Sequence, residues 1–178
     1  MCMSRWMSRR RVAAVAVGLL SVTGVAGALS AHAASPTGGS VSATSRTASW
    51  TAGPFAAPNV TGTSGTVTCA PGLCDDFALH VSTPAGYGDT HQLTVKVAWP
   101  VAAADFDVYL LDSAGNEVAS AASSSDPEVV VVAPTSGDYT VRVVPFAPLG
   151  QSITGTATLT DIPANPAPST ATPPTYSQ

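Results

Sequence analysis

His91-Gln-Leu-Thr-Val-Lys-Val-Ala-Trp-Pro100, followed after a short connection by Ala104-Asp-Phe-Asp-Val-Tyr-Leu-Leu-Asp112, decides the fold. In the first segment Leu93, Val95, Val97 and Trp99 share one face, and Thr94 and Lys96 share the other. In the second, Phe106, Val108 and Leu110 alternate with Asp107 and Tyr109. A period of two between large apolar and polar residues predicts a strand with one buried face, because successive side chains of an extended backbone point to opposite sides. The parity assigns Trp99 to the core. Asp112-Ser-Ala-Gly-Asn116 then turns the chain into Glu117-Val-Ala-Ser120, a hairpin signal with Gly115 available for positive φ.

Outward from this pair the same alternation recurs. Phe77, Leu79 and Val81 share a face within 75–82; Tyr139, Val141 and Val143 do so within 137–145; Ile153, Gly155, Ala157 and Leu159 alternate with four threonines. Glu128-Val-Val-Val-Val-Ala133, bracketed by Pro127 and Pro134, reads as a short strand buried on both sides. With a weaker strand around Val60 to Cys69 the count is about eight, spaced 8–12 residues apart with no helical period between them. The expected fold is all-β, a single antiparallel β-sandwich of jelly-roll or Greek-key type. Lys96, Arg142 and the prolines at strand ends are read as protection of sheet edges.

The flanks differ in composition. Residues 1–33 read as a secretory signal peptide: arginines at 5, 9, 10 and 11, an apolar run over 12–29, and the small-x-small pattern Ala31-His-Ala33. The arginine cluster leaves the general secretory and twin-arginine routes both open. Residues 34–58, rich in Ser, Thr, Gly and Pro with Trp50 and Phe55 their large apolar groups, are assigned to a flexible lead-in whose last part docks on the domain. The folded unit is placed at 59–160, and 161–178, with five prolines, reads as a linker or tail. Export agrees with cysteine usage: the chain behind the leader keeps Cys69 and Cys74, which an oxidising compartment joins as a local disulfide. A cut after Ala33 also changes the charge, leaving three cations, Arg46, Lys96 and Arg142, against eleven carboxylates, a net of -8. So few Lys and Arg exclude nucleic acid and anionic membrane surfaces as partners, and once the leader is gone nothing embeds the protein in a membrane.

Four of these pieces stand in a telling order: the Leu-x-Val-x-Val-x-Trp-Pro strand at 93–100, Ala104-Asp-Phe-Asp-Val-Tyr-Leu-Leu-Asp112, the turn at 113–116, and Pro134-Thr-Ser-Gly-Asp-Tyr-Thr-Val-Arg-Val143. Over about 60–160 the chain resembles the bacterial pre-peptidase C-terminal domain, a jelly-roll-like sandwich appended to secreted peptidases and other extracellular hydrolases. The resemblance implies a non-catalytic module; some family members help bind polymers such as collagen or chitin, and others are removed during maturation. This chain departs from the pattern in two ways. The domain follows the leader directly instead of trailing an enzyme, and the Cys69/Cys74 staple is not a general family feature.

Candidate chemistry is sparse. Asp105 and Asp107 fall on one strand face, and their spacing permits a hard-cation site with calcium as the candidate. An EF-hand loop, however, needs Gly at its sixth position and Glu at its twelfth, where this chain has Asn116. The resemblance instead gives these aspartates a structural role, accepting hydrogen bonds from loop amides. It also implies a calcium site ahead of the first strand in collagen-binding relatives, which does not transfer, since 34–58 contain no Asp or Glu. Asp75 and Asp76 read as a solvated strand start. His80 and His91 fall on strands away from any Gly-x-Ser-x-Gly elbow, which the sequence lacks. Tyr87, in the loop Pro84-Ala-Gly-Tyr-Gly-Asp89, and Tyr109 are the aromatics placed to contact a ligand. The expectation is a secreted monomeric module with no catalytic residue and no cofactor, calcium being the one alternative. Its partner is an extracellular polymer, protein or polysaccharide, or a neighbouring catalytic domain; the competing expectation is a stand-alone adhesion or inhibitor protein.

Overall fold

A computed structural model describes residues 33–59, 69 and 72–163. Among the described residues nine strands build two facing sheets: β1 (Gly38–Ser42), β2 (Thr47–Ala52), β3 (Asp75–Ser82), β4 (His91–Ala98), β5 (Asp105–Asp112), β6 (Glu117–Ala121), β7 (Glu128–Val132), β8 (Gly137–Ala147) and β9 (Ile153–Asp161). One sheet has the order β1-β3-β8-β5-β6 and the other β2-β9-β4-β7. From β3 onward the chain changes sheet at every step except the β5–β6 hairpin, so most neighbours within a sheet are distant in sequence. This is the β-sandwich expected, with nine strands in place of eight. All pairs are antiparallel except β1 and β3, which run parallel in the register Gly38↔Ala78 to Ser42↔Ser82.

The alternation sorts residues as it predicts. β3 is buried at Asp75, Phe77, Leu79 and Val81 and exposed between them; β5 buries Phe106, Val108 and Leu110; β9 buries Ile153, Gly155, Ala157 and Leu159. Trp99 is core, its Nε1 donating to the Ala104 carbonyl at 3.0 Å. The β5–β6 turn forms as expected: Gly115 has φ 81°, and Asp112 Oδ1 accepts from the amides of Ala114 (2.9 Å) and Asn116 (2.8 Å). These bonds hold the Asp112 carboxyl below its usual range, with Asn116 the largest influence.

Three readings are corrected. Residues 34–58 are not a flexible lead-in: they supply β1 and β2, one edge of each sheet, and place Val41, Trp50 and Phe55 in the core. Trp50 stacks on Phe77 with centroids 4.1 Å apart, and Phe55 meets Phe106 edge-on at 5.5 Å. The folded unit therefore begins well before residue 59. Second, β7 is an edge strand and not one buried on both sides, with Val129 42% and Val131 51% exposed. A run of four valines carries no period, so its parity is set by the partner strand β4 alone. Third, Lys96 and Arg142 lie on the central strands β4 and β8, so neither guards an edge. Arg142 stands directly across from Asp76 and grips it with two bonds of 2.7 and 2.8 Å. The leader up to residue 32, all but Cys69 of the strand expected around Val60 to Cys69, and the tail beyond 163 lie outside the described residues.

Candidate functional site

Because one face of each strand fills the interior, function falls to the outward faces and the loops. On the outer face of the four-stranded sheet the pairing registers align hydroxyl side chains into rows across strands. One row runs Thr47–Thr158–Thr94–Val131, the next Ser49–Thr156–Lys96–Val129, and the last Thr51–Thr154–Ala98. Adjacent strands lie about 4.8 Å apart and alternate residues about 6.8 Å apart, so these side chains form a grid. Each hydroxyl offers one donor and two acceptor positions. Lys96 is the one charged residue in the three rows. At the Thr51–Thr154 end the grid opens into a depression of about 370 Å³, lined by Thr51, Ala98, Trp99, Pro100, Ser152, Ile153 and Thr154. A second depression, of about 380 Å³, lies on the five-stranded sheet beside Arg142, Asp138 and the β5–β6 turn. Threonine alternation makes the grid: β9 needs small or apolar residues inward, and the β-branched threonine suits the extended backbone on the other side.

The expected aromatic contacts are placed differently. Tyr87 sits in a 3-10 turn, half-buried; its hydroxyl is buried without a hydrogen-bond partner, and one ring face is covered by His91 at 3.6 Å between centroids. Tyr109, on the outer face of β5, packs with Val144 against the Cys69–Cys74 disulfide. Burial raises its hydroxyl pKa, with Asp107 and Glu117 adding to the effect. Neither ring is presented as a bare stacking platform.

Asp105 and Asp107 do share a face, and Glu128 at the start of β7 approaches both. Burial, then Asp105, then Glu128 push the Asp107 carboxyl up to about 6. Burial and Glu128 likewise raise Asp105, whose Oδ1 is buried without a partner. Among the described residues no three His, Cys, Asp or Glu side chains are grouped so as to hold a metal ion. Loop-amide bonds of the kind that the resemblance assigns to Asp105 and Asp107 are present at other acids. Asp112 caps the β5–β6 turn, Asp126 accepts from the Trp99 amide at 3.2 Å, and Glu128 accepts from the amide (2.7 Å) and hydroxyl (2.5 Å) of Ser123.

The histidines are committed elsewhere and lie in different sheets. His80 on β3 is exposed, with Nδ1 2.7 Å from Asp138. His91 on β4 has Nε2 2.9 Å from Asp161 and 3.3 Å from Arg46, and Nδ1 2.8 Å from the Thr90 hydroxyl. The His80 pair joins β3 to β8, and the His91 network ties β9 and the β1–β2 turn to β4. Asp75 is the residue that sequence reasoning missed most clearly. It is not a solvated strand start but is 1% exposed, and neither carboxylate oxygen has a hydrogen-bond partner. Burial pushes its pKa up to about 6; the Ala34 amide and Trp50 Nε1 approach and pull the other way without completing a hydrogen bond.

Residues 75–145, from the start of β3 to within β8, match the family model described as the bacterial pre-peptidase C-terminal domain. A solved structure, the pre-peptidase C-terminal domain of a collagenase from Bacillus anthracis, is similar at 9% sequence identity and a TM-score of 0.41. That alignment covers 69% of this chain and 94% of the other. No curated protein matches the chain.

Proposed function

Because the chain carries a domain of the bacterial pre-peptidase C-terminal family at residues 75–145, we propose that it is an exported, non-catalytic accessory module that contacts an extracellular polymer. The observation that carries this reading is the hydroxyl grid on the outer face of β2, β9, β4 and β7. A surface of neutral donors and acceptors with a single cation gives little attraction to phosphate or sulfate. It matches chains that are themselves lined with hydroxyls and amides, such as neutral polysaccharides and extended protein fibres. Each contact is weak, and binding builds by repetition along the polymer, the regime in which many modest hydrogen bonds act together. Export is supported by the leader at 1–33 and by the Cys69–Cys74 bond. No helix among the described residues is long and apolar enough to cross a membrane.

The test is retention of the secreted protein on insoluble collagen, chitin and cellulose, compared with a Thr156→Lys/Thr158→Lys variant. Both positions lie on the outer face of a central strand, so the variant keeps the core. The expected result is retention on at least one polymer and its loss in the variant. Absence of retention on all three, or equal retention of the variant, overturns the reading.

A further inference from the structure

The first residue of β3 is a carboxylate in the wrong place for an unpaired acid. Asp75 shares the inward face of Phe77, Leu79 and Val81, is 1% exposed, and both its oxygens lack hydrogen bonds. An isolated buried carboxylate is strongly disfavoured unless a cation or several donors meet it. Trp50 Nε1, from β2, faces the same region and is also buried without a partner. Asp76, the next residue, is engaged on the outer face by Arg142 and supplies no positive charge. Among the described residues, the groups that influence Asp75 include no Lys, Arg or His.

What does reach the carboxylate is the backbone nitrogen of Ala34. Its position is built. Ser35 and Thr51 exchange two backbone hydrogen bonds, of 2.8 and 3.1 Å; the Ala78 amide donates to the Thr37 carbonyl at 3.1 Å; and the parallel register of β1 on β3 carries the preceding residues back toward the start of β3. Ala34 is itself 4% exposed and packs in the core, while Ala33 is exposed. The boundary between an exposed and a buried alanine is the bond that the Ala31-His-Ala33 pattern marks for cleavage.

We propose that removal of the leader completes the fold: the α-ammonium created at Ala34 becomes the counter-ion and hydrogen-bond donor of the buried Asp75 carboxylate. The inference rests on reading 1–33 as a signal peptide. The step is peptide hydrolysis by an endopeptidase of the export machinery. Water breaks the Ala33–Ala34 bond, its hydroxyl remains on the Ala33 carbonyl as a departing carboxylate, and the Ala34 nitrogen keeps the electron pair and is protonated. One neutral N–H becomes a cation with three donors at the same position, enough to meet both oxygens of Asp75. Before cleavage the carboxyl is buried without a cation; afterwards the N-terminal segment is fastened to β3. Maturation then stabilises the exported form selectively, by adding an ion pair where β1 and β2 already pack on the sandwich.

The experiment uses the chain 34–178, which contains all nine strands, released from a fusion so that it begins at Ala34. It is compared with the same chain N-acetylated and with a one-glycine extension, each with Asp75 and with Asp75→Asn. At neutral pH the free-amine protein is expected to melt at least about 5 °C above both blocked forms. The gap should close in Asp75→Asn, and the Asp75 carboxyl, followed by NMR, should titrate lower in the free-amine form. Equal melting and equal titration of free and blocked forms overturn the ion pair. If Asp75→Asn does not fold, the Asp75 titration in free and acetylated protein decides alone. Mass spectrometry of the exported protein tests the processing separately. A terminus at Ala34 supports the maturation link and any other terminus overturns it, whatever the recombinant comparison gives.

Discussion

Gly155 is expected to tolerate no side chain, although it sits mid-strand in β9 where glycine ordinarily weakens a sheet. It lies directly across from Trp50 on β2. A Cβ built on Gly155 would stand 2.1 Å from Trp50 Cε2, 2.2 Å from Cζ2 and 2.6 Å from Cδ2. Ordinary carbon contacts begin near 3.5 Å, so the indole must retreat by more than about 1 Å. Its retreat is blocked, because Phe77 is stacked on it at 4.1 Å with planes 7° apart and is fully buried. Overpacking of this kind costs about 3 kcal/mol at the upper end of its usual range. The lower backbone entropy of an unfolded Ala against Gly returns about 0.5–1 kcal/mol. The net expectation for Gly155→Ala is a loss of about 2 kcal/mol, or a Tm lower by at least about 8 °C for a domain of this size. Guanidinium and thermal unfolding followed by far-UV circular dichroism measure it. Trp50→Leu costs stability alone through the cavity it leaves, but in combination with Gly155→Ala the two losses should fall short of additive by at least about 1 kcal/mol, since the smaller side chain makes room for the methyl. A neutral or stabilising Gly155→Ala, or strict additivity with Trp50→Leu, refutes the packing argument.

Asp107→Asn is expected to stabilise the protein at pH 7.5 and to leave it unchanged near pH 4. Burial, Asp105 and Glu128 raise the folded carboxyl from 3.8 to about 6, so the folded state holds the proton more tightly and stability declines as pH rises through that window. Urea unfolding at the two pH values checks this, and an equal effect at both counts against it. Replacing Cys69 and Cys74 together by Ser should cost about 2 kcal/mol or less, because the bond closes a loop of only five residues' separation. The altered packing should appear as a shifted Tyr109 hydroxyl titration, since Tyr109 lies against that bond; an unfolded double variant would show that the bond holds more than a local loop.

Strands β3 to β9 were legible where large apolar residues repeat every second position, as in Phe77-x-Leu79-x-Val81 or Leu93-x-Val95-x-Val97. β1 and β2 escaped because each has one large inward residue, Val41 and Trp50, among Gly, Ala, Ser and Thr, a composition shared with linkers. Asp75 was misread for the opposite reason: its charge outweighed its parity. Asp75 falls in phase with Phe77 and Leu79, so period two already pointed it inward. The hydroxyl grid was half visible in the four threonines of β9. Its extent depends on how β2, β9 and β4 are registered, which no single strand encodes. The placement of Tyr87 under His91 likewise arises from tertiary packing.

The strands that precede and follow residues 75–145 have a practical meaning for anyone cutting this chain. β1 covers the outer side of β3, and β2 and β9 together make up half of the four-stranded sheet. A fragment trimmed to the family-matched span would leave β4 and β7 as an isolated ribbon and expose the free backbone of β3 along its length. Such bare ladders recruit strands from other molecules. The shorter piece should therefore associate or precipitate where the longer one stays in solution, and an expression boundary drawn at Ala34 and residue 163 keeps both rims closed.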